Sequence, residues 1–436
     1  MIRLVIRFPR KPARPSQIET FVMNVKSTTK VNCTISRTFD AVHLLLTVCP
    51  PMELAGEPLE IQIDSVNAQI SAAIQEYAPG AEVIQQTVFL KDYEDRKFCQ
   101  QIWREYYGEK MPVNVYVPQA PCDGQLLAVE ALVLEPENSQ VLHRSENLLA
   151  FRQDGVTLYF ACEQEPEDYS RSMYAQSVGM FQGLEKNFKS RKIPFENVIR
   201  TWLYLGNITE PTYSELEGET QRYKELNRAR TDFFRDIRFF DGVTKTPWTH
   251  EVYPASTGIG ADGDTVVMSA LAVQFDDPQN GVILPLENPQ QTSAFCYGTE
   301  YSIKSPKFSR ALLLASGDSG LIFVSGTASI IEQETWYQGD PEKQTELTLN
   351  NIEVLINEQN LAAHGKPGFG CNLDELVSVR VYVKRPEDYE KVRAVCERRL
   401  PNVPSIYTIA DICRPDLLVE IEGIADVGPS RNIERK

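Results

Sequence analysis

The sequence predicts an α+β protein made of three units of similar plan. Three observations point there. The chain is 436 residues long, which suits about three domains rather than one. The stretch "VFLKDYEDRKFCQQI" (88–102) is repeated in kind by "VYVKRPEDYEKVRAV" (381–395), each an apolar strand ending in lysine, then an acidic turn, then a helix. Apolar runs of strand length alternate with runs of helical spacing from end to end.

In the first unit, residues 65–82 have helical spacing, 82–108 read as strand, turn and helix, and "VNVYVPQ" and "QLLAVEALVLEP" read as strands. The last unit keeps this order. Residues 344–361 are helical, 375–400 are strand, turn and helix, and "SIYTIADICRP" and "LLVEIEGIA" are extended. The middle unit is a more decorated copy, with "YAQSVGMFQGLEKNFKSRKI" as helix, "ENVIRTWLYLGNI" as strand, "YKELNRARTDFFRDI" as helix and "DTVVMSALAVQ" as closing strand. An insertion at 209–222 separates its strand from its second helix. The loop compositions "EPENSQ" and "LENPQQTS" set the expected boundaries, giving units 1–137, 138–285 and 286–436, each a sheet with two helices on one face.

Composition narrows the function classes. Hydrophobic residues make up 42% and charged residues 24%, as in ordinary globular proteins. The longest apolar runs are too short to span a membrane. The segment "MIRLVIRFPRKPARP" is basic without a sustained apolar core, so a cytoplasmic location is expected. Nine scattered cysteines with no CxxC pair argue against disulfides or zinc, and the four histidines lack metal-ligand spacing. A net charge of −16 argues against a nucleic-acid partner. An anionic substrate would need a local arginine cluster working against the overall field.

The segments "ENVIRTWLYLGNI", "YKELNRARTDFF", "YPASTGIG", "SPKFSRALLL", "FVSGTASI", "GDPEKQTELTLNNI" and "ADICRPDLLVEIEG", in this order across about 138–427, resemble the chorismatase family within the Rid (YjgF-type) superfamily. The first 137 residues resemble only the general Rid plan. The resemblance implies three Rid-like (chorismate mutase-like) units arranged as a pseudo-trimer. It also implies cofactor-free removal of pyruvate from chorismate, giving 3-hydroxybenzoate, another hydroxybenzoate or a dihydroxycyclohexadiene carboxylate. The partner is then a small dianion, with neither nucleic acid nor membrane, and the chain is a monomer or a homo-oligomer.

In "VEIEGIA", Glu420 and Glu422 alternate with apolar residues as on a half-buried strand. Aligning the three closing strands, with "LAVEALV" and "VVMSALA" for the first and middle units, puts Ala128 and Val267 opposite Glu420, while Glu422 matches Glu130. One acid out of three favours a cleft role for Glu420, and by resemblance it stands at the family's catalytic glutamate. Protonating the enolpyruvyl methylene carbon needs a carboxylic acid whose pKa is raised by burial. Glu422 is assigned a structural role. Cys413, with Gly326 in "SGTAS", matches the branch resembling 3-hydroxybenzoate formers, in which the ring 4-hydroxyl displaces the enolpyruvyl group internally. Candidate carboxylate and hydroxyl contacts are Arg310, Arg228, Arg230, Tyr223, Thr327 and Tyr407, with Arg414 as a further cation.

Two departures stand out. The simple Rid deaminases carry an arginine about fifteen residues before the glutamate, where this chain has "PSIYTIAD"; after "GTAS" it has the divergent "IIEQETWYQGD". Two other readings stay open, a Rid-type enamine or imine deaminase and a non-catalytic metabolite-binding protein.

Overall fold

A computed structural model describes residues 4–6, 21–23, 32–39, 41–244, 248, 250–299, 301, 303–431 and 433–435. Most of the basic opening segment lies outside the described residues. The fold is mixed α+β, organised on three six-stranded sheets.

The first sheet contains β1 (Asn32–Thr38) and β2 (Ala41–Val48), then α1 (Leu59–Tyr77), β3 (Glu82–Leu90), α2 (Arg96–Tyr107), β4 (Val113–Pro118) and the closing strand β5 (Leu127–Leu134). The second has an edge strand β6 (Ser139–Arg144), then β7 (Leu148–Gln153), β8 (Val156–Glu163), α3 (Met173–Lys189), β9 (Val198–Gly206), α4 (Arg222–Phe234), β10 (Ala255–Ala261) and β11 (Val266–Phe275). The third repeats this with β12 (Gly281–Leu286), β13 (Ala311–Ser316), β14 (Ser319–Ala328), α5 (Pro341–Ile356), β15 (Leu376–Val383), α6 (Tyr389–Arg399), β16 (Ser405–Ile409) and β17 (Val419–Val427). The edge strand of the first sheet is supplied late, by β18 (Ile433–Arg435) pairing with β1. With that substitution all three sheets share one order: edge strand, hairpin, closing strand, central strand, parallel edge strand.

Local chemistry sets the element ends. The first helix starts at Leu59, directly after Pro58, and stops before Pro79, so it lies earlier than the expected 65–82. Proline is tolerated at a helix start but has no N–H to continue one. The expected helix 344–361 begins earlier, where Asp340 caps Pro341–Ile356 by accepting from Lys343 N at 3.0 Å. Asn357 then interrupts it and caps a short second helix, Glu358–Ala363. The insertion at 209–222 is a hairpin, Pro211–Ser214 with Gly218–Gln221.

The first and third sheets each pack one face on their own helices. The opposite faces share a single core that joins Phe89 and Phe39, the aromatic cluster around Phe181 and Phe195, and Phe323 and Tyr382. Strand register makes the closing strands comparable. Each central strand carries a bulge, just before Gln85, Arg200 and Ser378 respectively. Four residues beyond these, Phe89, Tyr204 and Tyr382 oppose Ala128, Val267 and Glu420. By the same count Glu130, Ser269 and Glu422 are equivalent. No helix among the described residues is long and apolar enough to cross a membrane.

Candidate active site

A cleft of about 1100 Å³ opens between the second and third sheets. Its inner wall is built where β10 meets β14. Ser256 N donates to Ser325 Oγ at 2.9 Å, and Gly326 N donates to Thr257 Oγ1 at 2.9 Å. A bulge in β14 at Ser325–Gly326 lets the backbone turn towards β10 there. The loop 411–418 is pinned beside it, since Gly260 N donates to Asp411 O at 2.8 Å and Lys384 pairs with the Asp411 carboxylate at 2.6 Å.

Glu420 and Glu422 are both buried, 4% and 3% exposed, so neither points into water. Their surroundings differ. Glu422 is ion-paired with Arg200, pairs with Arg380 at 3.0 Å, and accepts from Tyr382 OH at 2.9 Å and from Thr257 Oγ1. Burial alone would raise its pKa, but the two guanidinium groups and the hydroxyls overcome this and hold it below the ordinary carboxylate value. Glu420 lines the cleft. Its carboxyl is pushed up to about 8, chiefly by burial, with the Glu422 charge adding and Arg200 and Arg310 opposing. A protonated acid therefore faces the cleft at neutral pH, backed by an ionised one.

Gly326 is required by close approach. A Cβ at this position would overlap Glu420 Oε1 and lie 3.0 Å from its Cδ and 3.1 Å from Thr257 Cγ2. Cys413 also lines the cleft, and burial, with the neighbouring Glu420, pushes its thiol up to about 12. It stays protonated at neutral pH, which excludes a thiolate nucleophile. Tyr223 faces both, and burial raises its phenol well above the ordinary value.

Of the expected cations, Arg310 is in the cleft, its Nη2 donating to Thr292 O at 2.9 Å and to Tyr297 OH at 2.6 Å, with Nε buried and unpartnered. Arg414 lines the cleft with its guanidinium over the Tyr301 ring, 4.6 Å from the centroid. Arg230 is buried one layer behind, where it donates to Asn227 Oδ1 at 2.5 Å and Ser256 Oγ at 3.3 Å. It braces cleft residues without lining the cleft.

Three expected contacts lie elsewhere. Arg228 is held by Glu225 at 2.7 Å and stacks on Tyr174, facing α3. Helical geometry explains this: positions 223, 227 and 230 share a face, and 228 turns away from it. Thr327 is buried, its Oγ1 donating to Ser325 O at 2.9 Å within the bulge. Tyr407 lies on β16, packed edge-on against Tyr389 on the helix side of the third sheet.

The sequence reading missed Asn227, Ser256 and Lys224, which line the cleft, and Arg200 and Arg380, which hold Glu422. The last two had a signal. An arginine inside "VIRTWLYL" or "VSVRVYV" sits in a central strand, where a charge needs a buried partner.

A three-sheet fold with one buried acid in a cation-bearing cleft defines a cleft-site protein with a proton to give. Residues 136–272 match the family described as "Chorismatase FkbO/Hyg5-like, N-terminal", and residues 306–427 match "Endoribonuclease L-PSP", the Rid-type family. The chain is 34% identical over 321 residues to a 3-hydroxybenzoate synthase of Streptomyces hygroscopicus, covering 72% of this chain and 85% of that one. It is 35% identical over 233 residues to a chorismatase of Streptomyces rapamycinicus, covering 53% of this chain and 64%, less than two thirds, of the relative. A solved chorismatase structure superposes with a TM-score of 0.60 at 25% identity, covering 80% of this chain and 95% of that one. The chain belongs to the chorismatase family.

Proposed function

We propose that this chain converts chorismate to pyruvate and a hydroxybenzoate, with 3-hydroxybenzoate as the product, and that Glu420 is the acid. The observation that carries the reading is the Glu420 carboxyl, buried at the cleft wall and protonated up to about pH 8. Glu420 gives its proton to the enolpyruvyl methylene carbon, and the ether oxygen at ring C3 becomes part of a good leaving group. The ring 4-hydroxyl oxygen attacks C3 as the C3–O bond breaks, releasing pyruvate. The hydroxyl proton returns to Glu420. The resulting epoxide opens and loses a ring proton to give the aromatic hydroxybenzoate, so no water is consumed.

Arg310, Arg414 and Lys224 face the cleft without a carboxylate partner among the described residues, and they suit the two substrate carboxylates. Cys413 and Gly326 mark the internal route by their resemblance to 3-hydroxybenzoate formers; the thiol stands neutral beside the acid, and the glycine leaves room for the Glu420 carboxyl. The shared strand order and the matching registers support reading the three sheets as Rid-like units in a pseudo-trimer, with the first boundary near 137 as expected. The expected boundary at 285/286 cuts through β12, which starts at Gly281 and pairs within the third sheet, so the third unit starts near 280 and lends β18 to the first. We place the enzyme in the cytoplasm, where a small-molecule substrate of this kind would be met. The test is incubation of purified protein with chorismate, with pyruvate measured and the aromatic product identified by mass. Pyruvate release by the wild type and none by Glu420→Gln is expected. Wild type no more active than that variant would overturn the reading.

A further inference from the structure

The divergent segment that follows "GTAS", "IIEQETWYQGD", has a place beside the cleft. It opens as a tight hairpin, Ile330–Ile331 with Glu334–Thr335. The hairpin turns at Glu332, whose φ of 54° lies in the left-handed region that a non-glycine residue seldom adopts. Residues 290–292 hold it in place: Glu332 N donates to Gln290 O at 2.8 Å, and Thr292 N donates to Glu332 O at 2.9 Å.

This small ladder carries two cleft arginines that come from distant parts of the chain. Arg310 Nη2 donates to Thr292 O at 2.9 Å on one side, and Arg414 Nη1 donates to Gln333 O at 2.8 Å on the other. Tyr297 is the spacer between them. Its hydroxyl accepts from Arg310 Nη2 at 2.6 Å, and its ring centroid lies 5.6 Å from the Arg310 guanidinium and 5.5 Å from that of Arg414. Tyr301 packs on Tyr297 with ring centroids 5.7 Å apart and lies under Arg414. Its hydroxyl donates to Glu334 Oε1 on the hairpin at 2.5 Å. Two guanidinium groups repel each other, and aromatic faces with fixed carbonyls hold them on one wall. Their separation is thereby set before a ligand arrives. A pair of cations at fixed spacing favours a ligand with two carboxylates over one with a single carboxylate.

We propose that Tyr297, Tyr301 and the hairpin 330–335 are positioning residues that set the spacing of Arg310 and Arg414 and make the cleft selective for a dicarboxylate. The meaning of this clamp for turnover rests on the chorismate reading, chorismate being a dianion, but its test does not. The probes are isophthalate and benzoate, which share a ring and differ by one carboxylate, titrated into the full chain by calorimetry. Isophthalate is expected to bind at least tenfold tighter than benzoate. Tyr301→Leu removes the face under Arg414 and should weaken isophthalate about tenfold while leaving benzoate within about twofold. Tyr301→Phe keeps the ring and should retain the preference. Should Tyr301→Leu fail to fold, Tyr297→Phe, which removes only the hydroxyl that Arg310 holds, is read in its place. A wild type without the preference, a preference that survives the variant, or equal weakening of both probes would each overturn the assignment. Pyruvate release from chorismate without the preference would defeat the clamp alone. The preference without pyruvate release would uphold the clamp and defeat the chorismate reading.

Discussion

The cleft between the second and third sheets has a counterpart between the first and second, and the two are built from equivalent elements with opposite electrostatics. In the counterpart, a groove of about 610 Å³, Gln164 closes the wall by accepting from Tyr116 N at 3.1 Å and donating to Asn114 O at 2.9 Å. Three of its four cations are matched: Arg96 with Glu165 at 2.6 Å, Arg104 with Glu146 at 3.3 Å and Arg144 with Glu82 at 2.9 Å, with exposed Lys97 the exception. Val267 stands where the cleft has Glu420. The cleft instead keeps Arg310, Arg414 and Lys224 unmatched beside a neutral carboxyl. A site for a dianion is thus distinguished by the charge left unsatisfied rather than by the number of cations.

Removing the acid should have the largest effect. Glu420→Gln is expected to lower kcat by about 10³-fold with little change in KM, as for loss of a general acid, measured by pyruvate release. In the wild type, the rate should fall as pH rises past about 8, because the ionised form has no proton to give. Gly326→Ala should cost about 10–100-fold in kcat by displacing Glu420, with the thermal midpoint little changed. Arg310→Ala should raise KM by about 10–100-fold, the worth of one charge-assisted hydrogen bond. Arg104→Ala in the groove should leave KM within about twofold, since an exposed ion pair contributes little. Arg228→Ala, facing α3, is expected to match it; an effect as large as that of Arg310→Ala would break the contrast between the two regions.

Stability provides a test independent of turnover. The folded chain holds the Glu420 proton up to about pH 8, whereas an unfolded glutamate releases it near 4.5. Between those values the folded state binds more protons, so stability is greatest below the lower value and falls by up to roughly 1.4 kcal/mol per pH unit as pH rises through the upper one. Glu420→Gln should flatten this slope in urea titrations. A slope identical in both proteins would mean that the carboxyl is ionised at neutral pH.

Much of this was legible in the sequence, for identifiable reasons. The V-x-(V/L)-K, acidic-turn, helix signature is local, and strand pairing preserved it; the alignment of Glu420 with Ala128 and Val267 survives in the register. Glu422 and Glu130 also align, and both pair with Arg380, at 3.0 and 2.6 Å. What local pattern does not encode is the direction a charged side chain takes once sheets from different parts of the chain meet. Arg228 could have been separated from Tyr223 by helical arithmetic. Tyr407 could not, because the facing of a parallel edge strand depends on a register set by residues elsewhere. The cleft itself arises from contacts such as that of Thr257 with Gly326, nearly seventy positions apart.

The pairing of β18 with β1 bears on how the molecule is made. Ile433 lies opposite Ser36, so the first sheet gains its outer edge only after nearly four hundred further residues have left the ribosome. Until then β1 presents an unpaired row of N–H and C=O groups, the kind of exposed edge that invites pairing with another chain. A nascent chain stalled before residue 433 would have its closing strand and acid in hand, yet would carry an unfinished seam in its first sheet.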